Sequence, residues 1–495
     1  MRDALAGLTV AFVLIPQALA YATVAGMPEI TGLYAAALPP LAAAFFASSP
    51  YLQTGPVAQT SLLTFGALAG RAAVGSDEYV QLGVLLALVV GVVRVLIGLL
   101  RTGFVAHLMS EPMLMGFVPA GAILILSSQV PAALGAPSAN QGVLQDAASA
   151  AARPGGWDLA AVALGLVTLA IVFGGRRLHR LFPGALLAVV VGLVCGAILG
   201  FGGSTVGEIP AGLPPFTLDL PWEEVPALLL PGTVIALVGF AEPASIARTY
   251  AARERQAWNA DREFVSQGVA NLASGVSGGY PIGGSFSRSS LNHAAGAVTR
   301  ASGAVTGIVV LAFLPFAAVL EPLPRAVLGT IVISAVLGLL RFRPLFALWR
   351  VSRPQFAVAW VTFGSTLLLA PHIEQAVLIG IALSIAIHLL RELRLQVAAT
   401  VSEGTLELRP SGVLWFGNAD SLGERLTDLL AAHPDARRVR LVLDGLGRID
   451  ISGAMKLRDI VDEWREAGVD VELCRIPVQS EALLRRAERH RARLR

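Results

Sequence analysis

Charge and cysteine are what this chain has least of. Only 14% of its 495 residues are Asp, Glu, Lys or Arg, and there are two cysteines, Cys195 inside an apolar run and Cys474 near the C-terminal end. Two such isolated thiols exclude a disulfide framework and a cysteine metal site. Histidine is scarce too. Its seven copies, His107, His293 and His388 among them, stand singly, with no metal-ligand spacing and no nucleophile beside a base, so no cofactor, no metal and no enzyme activity are expected. Apolar residues fill the chain instead: 55% is hydrophobic and the mean hydropathy is +0.68, which marks a polytopic membrane protein. The apolar character stops near Leu390. Two parts follow, a membrane domain over residues 1–394 and an appended soluble domain over 401–495.

The pI of about 9.1 comes from short arginine groups between apolar runs. That distribution speaks for membrane orientation and against a nucleic-acid partner. Ala18-Leu19-Ala20 resembles a signal-peptidase site, but Pro16 and Gln17 interrupt the run and Tyr21 continues it, so the segment reads as a span. Gly, Pro and charge clusters divide the membrane part into about fourteen segments, from Asp3–Ala25 to His372–Leu390. With a cytoplasmic N-terminus, the inside loops hold Arg101, the trio Arg176, Arg177 and Arg180, the set Arg248, Arg253, Arg255 and Arg262, then Arg300, the quartet Arg341, Arg343, Arg350 and Arg353, and finally Arg391 and Arg394. The outside loops hold only Arg71, Arg153 and Arg325. This asymmetry predicts cytoplasmic N- and C-termini in an inner or plasma membrane.

Two of the segments are broken. Gly278-Gly279-Tyr280-Pro281-Ile282-Gly283-Gly284 cannot hold a regular helix, and in lipid its unpaired backbone would cost several kcal/mol per group. It must therefore line a cavity within the protein. The tenth segment, Ser285–Ala297, is a half-helix of about 20 Å against a hydrocarbon core of roughly 30 Å. Its N-terminus points at mid-membrane with Arg288 one turn inside, which makes an anion site; the competing reading is that Arg288 only pairs with a carboxylate to hold helices together. The third segment, Val57–Ala69, repeats the design after the run Ser48 to Pro56. Short Gly/Pro-interrupted helices at matching places in two seven-span halves point to inverted repeats with a site at the midplane. Gln17 and Tyr21, one turn apart in the first span, either line that pocket or are packed core residues. Glu242 in the eighth span either pairs with Arg288 or carries a proton, and in the latter case it couples anion entry to a proton gradient.

Pro16-Gln17-Ala18-Leu19-Ala20-Tyr21, Glu242 before Ser245-Ile246-Ala247-Arg248, Gln267-Gly268-Val269-Ala270-Asn271 and Gly284-Ser285-Phe286-Ser287-Arg288-Ser289 resemble, in this order, the sulfate permease (SulP) family, which includes bacterial anion symporters and the animal exchangers related to pendrin and prestin. The resemblance implies an all-α membrane domain of about fourteen segments in two inverted repeats of seven, with a core from spans 1–4 and 8–11, a gate from spans 5–7 and 12–14, and elevator-like alternating access. It implies a substrate site of Gln17, Tyr21, Pro56, Val57, Ser285, Phe286, Ser287 and Arg288, proton coupling at Glu242, and a homodimer in the lipid bilayer. Family members usually have a cytoplasmic lead-in before the first span, which this sequence lacks.

In the appended part, Leu406–Leu408, Val413–Phe416 and Val439–Asp444 alternate as strands, while Ala419–Ala432, Ser452–Glu466 and Gln479–Arg489 have helical period, giving a small α/β domain. Arg448-Ile449-Asp450-Ile451-Ser452-Gly453 resembles the strand-to-helix signature of STAS domains. In the related anti-sigma-factor antagonists a phosphorylated Ser follows the Asp. Here that place is Ile451, and Ser452 is expected to cap the next helix.

The expected function is proton-driven symport of a small anion. Sulfate, bicarbonate and dicarboxylates such as fumarate all fit a positive focus, and the small neighbours of Arg288 tilt the choice toward a dicarboxylate. The rivals are an exchanger or channel without proton coupling, a nucleobase permease of the same architecture, and a membrane-tethered signalling scaffold. A neutral ring has less use for Arg288, and an anchor has no use for two broken helices.

Overall fold

A computed structural model describes residues 1–495 except 138–141, 180, 181, 199, 211, 217, 394, 403 and 493–495; Arg180 and Arg394 thus lie outside the described residues. The chain forms two compact units, Met1–Ser384 and Ile385–Arg495.

Unit one is helical. Its helices are α1 (Arg2–Val24), α2 (Glu29–Phe46), α3 (Ala58–Leu68), α4 (Asp77–Leu99), α5 (Glu111–Leu134), α6 (Val143–Ala152), α7 (Leu159–Leu178), α8 (Gly184–Ala197), α9 (Val225–Arg253), α10 (Ala260–Val276), α11 (Phe286–Ala294), α12 (Ala301–Phe313), α13 (Arg325–Val336), α14 (Phe342–Val351), α15 (Arg353–Leu368) and the start of α16 (Ile373–Glu392), with the short strands β1 (Thr54–Gly55) and β2 (Gly283–Gly284). Among the described residues, eight helical stretches are long and apolar enough to cross a membrane, and α7 and α8 are shorter apolar helices. Two helices, α6 and α14, fall between the expected segments. The half-helix α11 is nine residues, about 13 Å, and so shorter than the expected Ser285–Ala297. The turn that ends it runs through Gly296 at φ 91°, a conformation suited to glycine.

The packing carries the repeat. Helix pairs α1–α11 and α9–α3 touch, as do α4–α10 and α12–α2, α1–α12 and α9–α4, and α5–α15 and α13–α7. Numbered as spans without α6 and α14, each pair becomes its partner when span n is exchanged with span n + 7. The α4–α10 contact is close because glycines face it: a Cβ on Gly98 would lie 2.5 Å from the Asp261 carbonyl oxygen, and one on Gly268 would lie 2.7 Å from the Val95 nitrogen.

Unit two contains a five-stranded sheet of β3 (Gln396–Ser402), β4 (Thr405–Leu414), β5 (Arg438–Val442), β6 (Leu446–Ile449) and β7 (Asp470–Cys474), with α17 (Ala419–Ala431), α18 (Ile451–Glu466) and α19 (Val478–Ala492). The order is β3-β4-β5-β7, with β6 beside β4; β3–β4 is antiparallel and the other pairs are parallel. Leu406, Leu408, Leu414, Leu441, Leu457 and Trp464 close its core. The two runs read as separate strands at 406–408 and 413–416 are largely one strand, β4, which carries Gly412 at φ 125°. The cap of α18 is also corrected. Asp450, not Ser452, is the N-cap: its Oδ1 accepts from Gly453 N at 2.7 Å and its Oδ2 from Phe416 N at 3.0 Å, while Ser452 lies exposed inside the first turn.

Candidate functional site

The two glycine-rich breaks, more than two hundred residues apart in sequence, pair with each other. Thr54 lies opposite Gly284 and Gly55 opposite Gly283 in an antiparallel ladder, extended by Ser285 N donating to Gln53 O at 3.0 Å. Backbone that no helix can satisfy is satisfied across the break instead. Because α3 starts at Ala58 and α11 at Phe286, this two-residue ribbon sets the N-termini of both half-helices beside it. Unpaired N–H groups and the positive ends of two helix dipoles meet there.

A polar stripe on α10 holds the arrangement. Glu263, Gln267, Asn271 and Ser274 recur at helical spacing and are all fully buried. Glu263 Oε2 accepts from Ser48 N at 3.2 Å, Ser49 N at 2.9 Å and Trp258 Nε1 at 3.3 Å. Gln267 Nε2 donates to Thr54 Oγ1 at 2.8 Å. Asn271 grips Ile282 twice, accepting from its N–H at 3.0 Å and donating to its carbonyl at 3.3 Å, and Ser274 Oγ donates to Tyr280 O at 2.7 Å. A second brace is Arg94 of α4, whose Nε, Nη1 and Nη2 donate to Ala236 O at 3.0 Å, Ile282 O at 3.0 Å and Ile235 O at 3.3 Å.

Arg288 occupies the third position of α11. Its N–H is capped by Ser285 Oγ at 3.4 Å, and Ser285 Oγ and Ser287 Oγ lie 3.2 Å apart. The guanidinium is 1% exposed. Nη1 donates to Gln17 Oε1 at 3.3 Å, whereas Nε and Nη2 have no hydrogen-bond partner among the described residues. A Cβ on Gly55, at φ 149°, would sit 3.5 Å from Nη2, so the cation lies against the bare backbone of the first break. Buried polar groups without partners are rare and expensive, and this guanidinium keeps two donor nitrogens with capacity for an acceptor that is not part of the fold.

Glu242 does not form the ion pair with Arg288 that was one of its two expected states. Its Oε1 accepts instead from Phe286 N at 2.9 Å, the first N–H of α11. The half-helix dipole attracts this carboxylate as it would an external anion. Of the remaining expected residues, Pro56 and Val57 are buried at the start of α3, Tyr21 is 6% exposed on the α1 face that carries Gln17, and Phe286 and Ser287 are exposed. The structure thus gathers Gln17, Ser285, Ser287, Arg288 and the break before Pro56 in one place. Sequence reasoning missed Arg94, Glu263 and the clamping role of Gln267 and Asn271. The signal was present as polar residues four apart in a span, with a lone arginine in another.

An occluded cation between two half-helices, inside a membrane bundle whose contacts repeat at seven spans, defines a transport protein for an anion. The comparisons agree. The sequence model of the sulfate permease family matches residues 1–362 and that of the STAS domain matches residues 396–491. Sulfate transporter 4.1, chloroplastic, of Arabidopsis thaliana is 31% identical over 512 residues, covering 95% of this chain and 74% of its own. A probable sulfate transporter of Mycobacterium tuberculosis is 35% identical over 394 residues, covering 79% and 70%. Among solved structures, the murine Solute Carrier 26 family member A9 anion transporter in the inward-facing state superposes with a TM-score of 0.89 at 21% identity over 98% of this chain and 87% of its own, and the transmembrane domain of a cyanobacterium bicarbonate transporter with 0.68 at 24% over 76% and 97%. At these identities the two structures establish a shared fold.

The chain belongs to the sulfate permease family of anion transporters and carries a C-terminal STAS domain.

Proposed function

We propose that the protein is a proton-coupled symporter of a small oxyanion, bound between α3 and α11 by Arg288, Gln17, the Ser285 and Ser287 hydroxyls and the N–H groups that open both half-helices, with Tyr21, Pro56, Val57 and Phe286 lining the place. The observation that carries this reading is the buried Arg288 guanidinium with Nε and Nη2 free. Two relatives above 30% identity are named sulfate transporters, which moves sulfate ahead of fumarate and bicarbonate as the first substrate to try.

Coupling follows from where Glu242 sits. An ionised carboxylate on Phe286 N occupies the α11 dipole and repels an incoming anion. Protonation removes that charge, so proton and anion bind together more favourably than either alone. The core of α1–α4 and α9–α12 carries the site past a gate of the remaining helices, in a homodimer with both termini cytoplasmic. The arginine distribution supports this orientation.

The test is uptake into proteoliposomes of labelled sulfate, fumarate and bicarbonate, each with and without an inward proton gradient, for the parent and for Glu242→Gln. One anion should accumulate with the gradient in the parent, and Glu242→Gln should transport it without gradient dependence. Uptake in the parent that follows voltage or a counter-anion and ignores the proton gradient would replace symport with exchange or channel-like flux.

A further inference from the structure

The helix α14 was not expected, and nothing in the transport site uses it. Leu340 and Arg341, at ψ 67° and 90°, break it from the stretch that begins with α13, and its ten residues, about 15 Å against a hydrocarbon core of roughly 30 Å, do not span by themselves. It folds back on α15 as a hairpin through Ser352, zipped by three pairs of rings: Phe342 with Phe363, Phe346 with Trp360, and Trp349 with Phe356, at centroid distances of 6.1, 5.4 and 5.1 Å. Leu345 is buried, yet Phe346 and Trp349 remain 58% and 54% exposed. Beside this aromatic row run arginines. Arg343 and Arg350, seven residues apart, share one flank, and Arg353 lays its guanidinium over the Trp349 ring at 5.3 Å.

Among the described residues, no carboxylate pairs with these arginines. The sequence has no acidic residue between Glu321 and Glu374, and Arg343, Arg350 and Arg353 make no hydrogen bond or ion pair among the described residues. Trp349, Arg350, Val351, Ser352 and Arg353 line an open groove of about 390 Å³. Exposed rings next to exposed guanidinia match the membrane interface, where rings sit at headgroup depth and guanidinia bind phosphate oxygens.

We propose that α14 lies in the membrane interface and that Arg343, Arg350 and Arg353 bind the phosphates of anionic lipids, one headgroup seated in the groove beside Trp349. The occupant is a bilayer lipid because charge complementarity and exposed rings occur on the same ten-residue helix. Each arginine engaged contributes roughly a fivefold preference for an anionic over a zwitterionic headgroup.

The full-length protein is reconstituted in phosphatidylcholine, and Trp349 fluorescence is read as the difference between the parent and Trp349→Phe. Phosphatidylglycerol or phosphatidylcholine carrying bromine high in the acyl chain is then titrated in. Brominated phosphatidylglycerol is expected to quench Trp349 at a mole fraction at least about fivefold lower than brominated phosphatidylcholine. Arg350→Gln should narrow that gap about fivefold, and the triple Arg343→Gln, Arg350→Gln, Arg353→Gln variant should close it while brominated phosphatidylcholine still quenches. The six tryptophans left in Trp349→Phe should show no such preference. Equal quenching by the two lipids in the parent overturns the proposal. So does quenching by neither, which means that a second copy or another protein segment covers α14.

Discussion

Arg94 and Arg288 are both sealed inside the membrane unit, at 0% and 1% exposure, and neither forms an ion pair among the described residues. Arg94 spends all three of its guanidinium nitrogens on backbone carbonyls, two on α9 and one on Ile282 in the second break. Arg288 spends one, on a side-chain amide, and keeps two. An arginine at membrane depth costs from a few to more than ten kcal/mol, and the carbonyl dipoles around Arg94 offset that cost permanently. For Arg288 the fold leaves part of the cost standing, which the proposed anion would offset. Burial alone therefore does not separate a structural arginine from a binding one; the count of unused donors does.

The comparison breaks or holds on a matched pair of variants. Arg288→Ala should lower anion uptake roughly 100-fold or more, since two charge-assisted hydrogen bonds to the substrate go with it, while the thermal midpoint in detergent stays level or rises as an unsatisfied buried charge disappears. Arg94→Met should do the reverse. Stability falls by about 3 kcal/mol, and the folded fraction keeps the parental KM within about threefold. Uptake assays beside thermal unfolding measure both, and equal loss of uptake at normal stability in the two variants would erase the distinction.

How much of this was legible depended on whether the cause was local. The Gly/Pro breaks, the half-helix after Ser285 and the position of Arg288 follow from backbone chemistry within a dozen residues, and the sequence shows them plainly. The pairing of Thr54–Gly55 with Gly283–Gly284 has no local signal, because each strand is two residues long and neither alternates. Glu242 was expected either to pair with Arg288 or to carry a proton. The backbone N–H of Phe286 is nearer, and a helix N-terminus serves a carboxylate as well as a cation does. Ser452 lost the capping position to Asp450 because the helix begins one residue earlier than its periodicity suggests, and a carboxylate there serves two N–H groups at once. Glu263 is fully buried while its neighbour Arg262 is exposed, a difference that no local pattern marks.

Asn271 sharpens the contrast from the side of the scaffold, since it satisfies the same Ile282 carbonyl as Arg94 and the Ile282 N–H as well. Asn271→Ala orphans that N–H and weakens the carbonyl's bonding in a place that water does not reach. A loss of about 2 kcal/mol is expected, with the folded fraction keeping the parental KM within about threefold, as for Arg94→Met. Asn271→Asp retains an acceptor for Ile282 N and should recover part of the stability. Thermal midpoints of the two variants decide it: no difference between alanine and aspartate would mean that the clamp on Ile282 N is not what this amide contributes.

The smallest effect tests whether α11 is held by its cap or by its substrate. Ser285 Oγ accepts from Arg288 N at 3.4 Å, a long bond, and lies 3.2 Å from Ser287 Oγ. Ser285→Ala removes a cap that in ordinary helices is worth about 1 kcal/mol, and less at this length. In the parent, Glu242 already serves the first N–H of the helix, so the structural loss falls on the bonds to Arg288 N and Ser287 Oγ. If Ser285 only caps, the alanine variant should show a slightly lower thermal midpoint at unchanged KM. If its hydroxyl contacts the anion beside Arg288, KM should rise about threefold to tenfold at nearly constant stability, because a lost hydrogen bond to a charged ligand outweighs a lost long one to backbone. With the anion bound at the free Nη2 and Nε of Arg288, as proposed, the second outcome is expected.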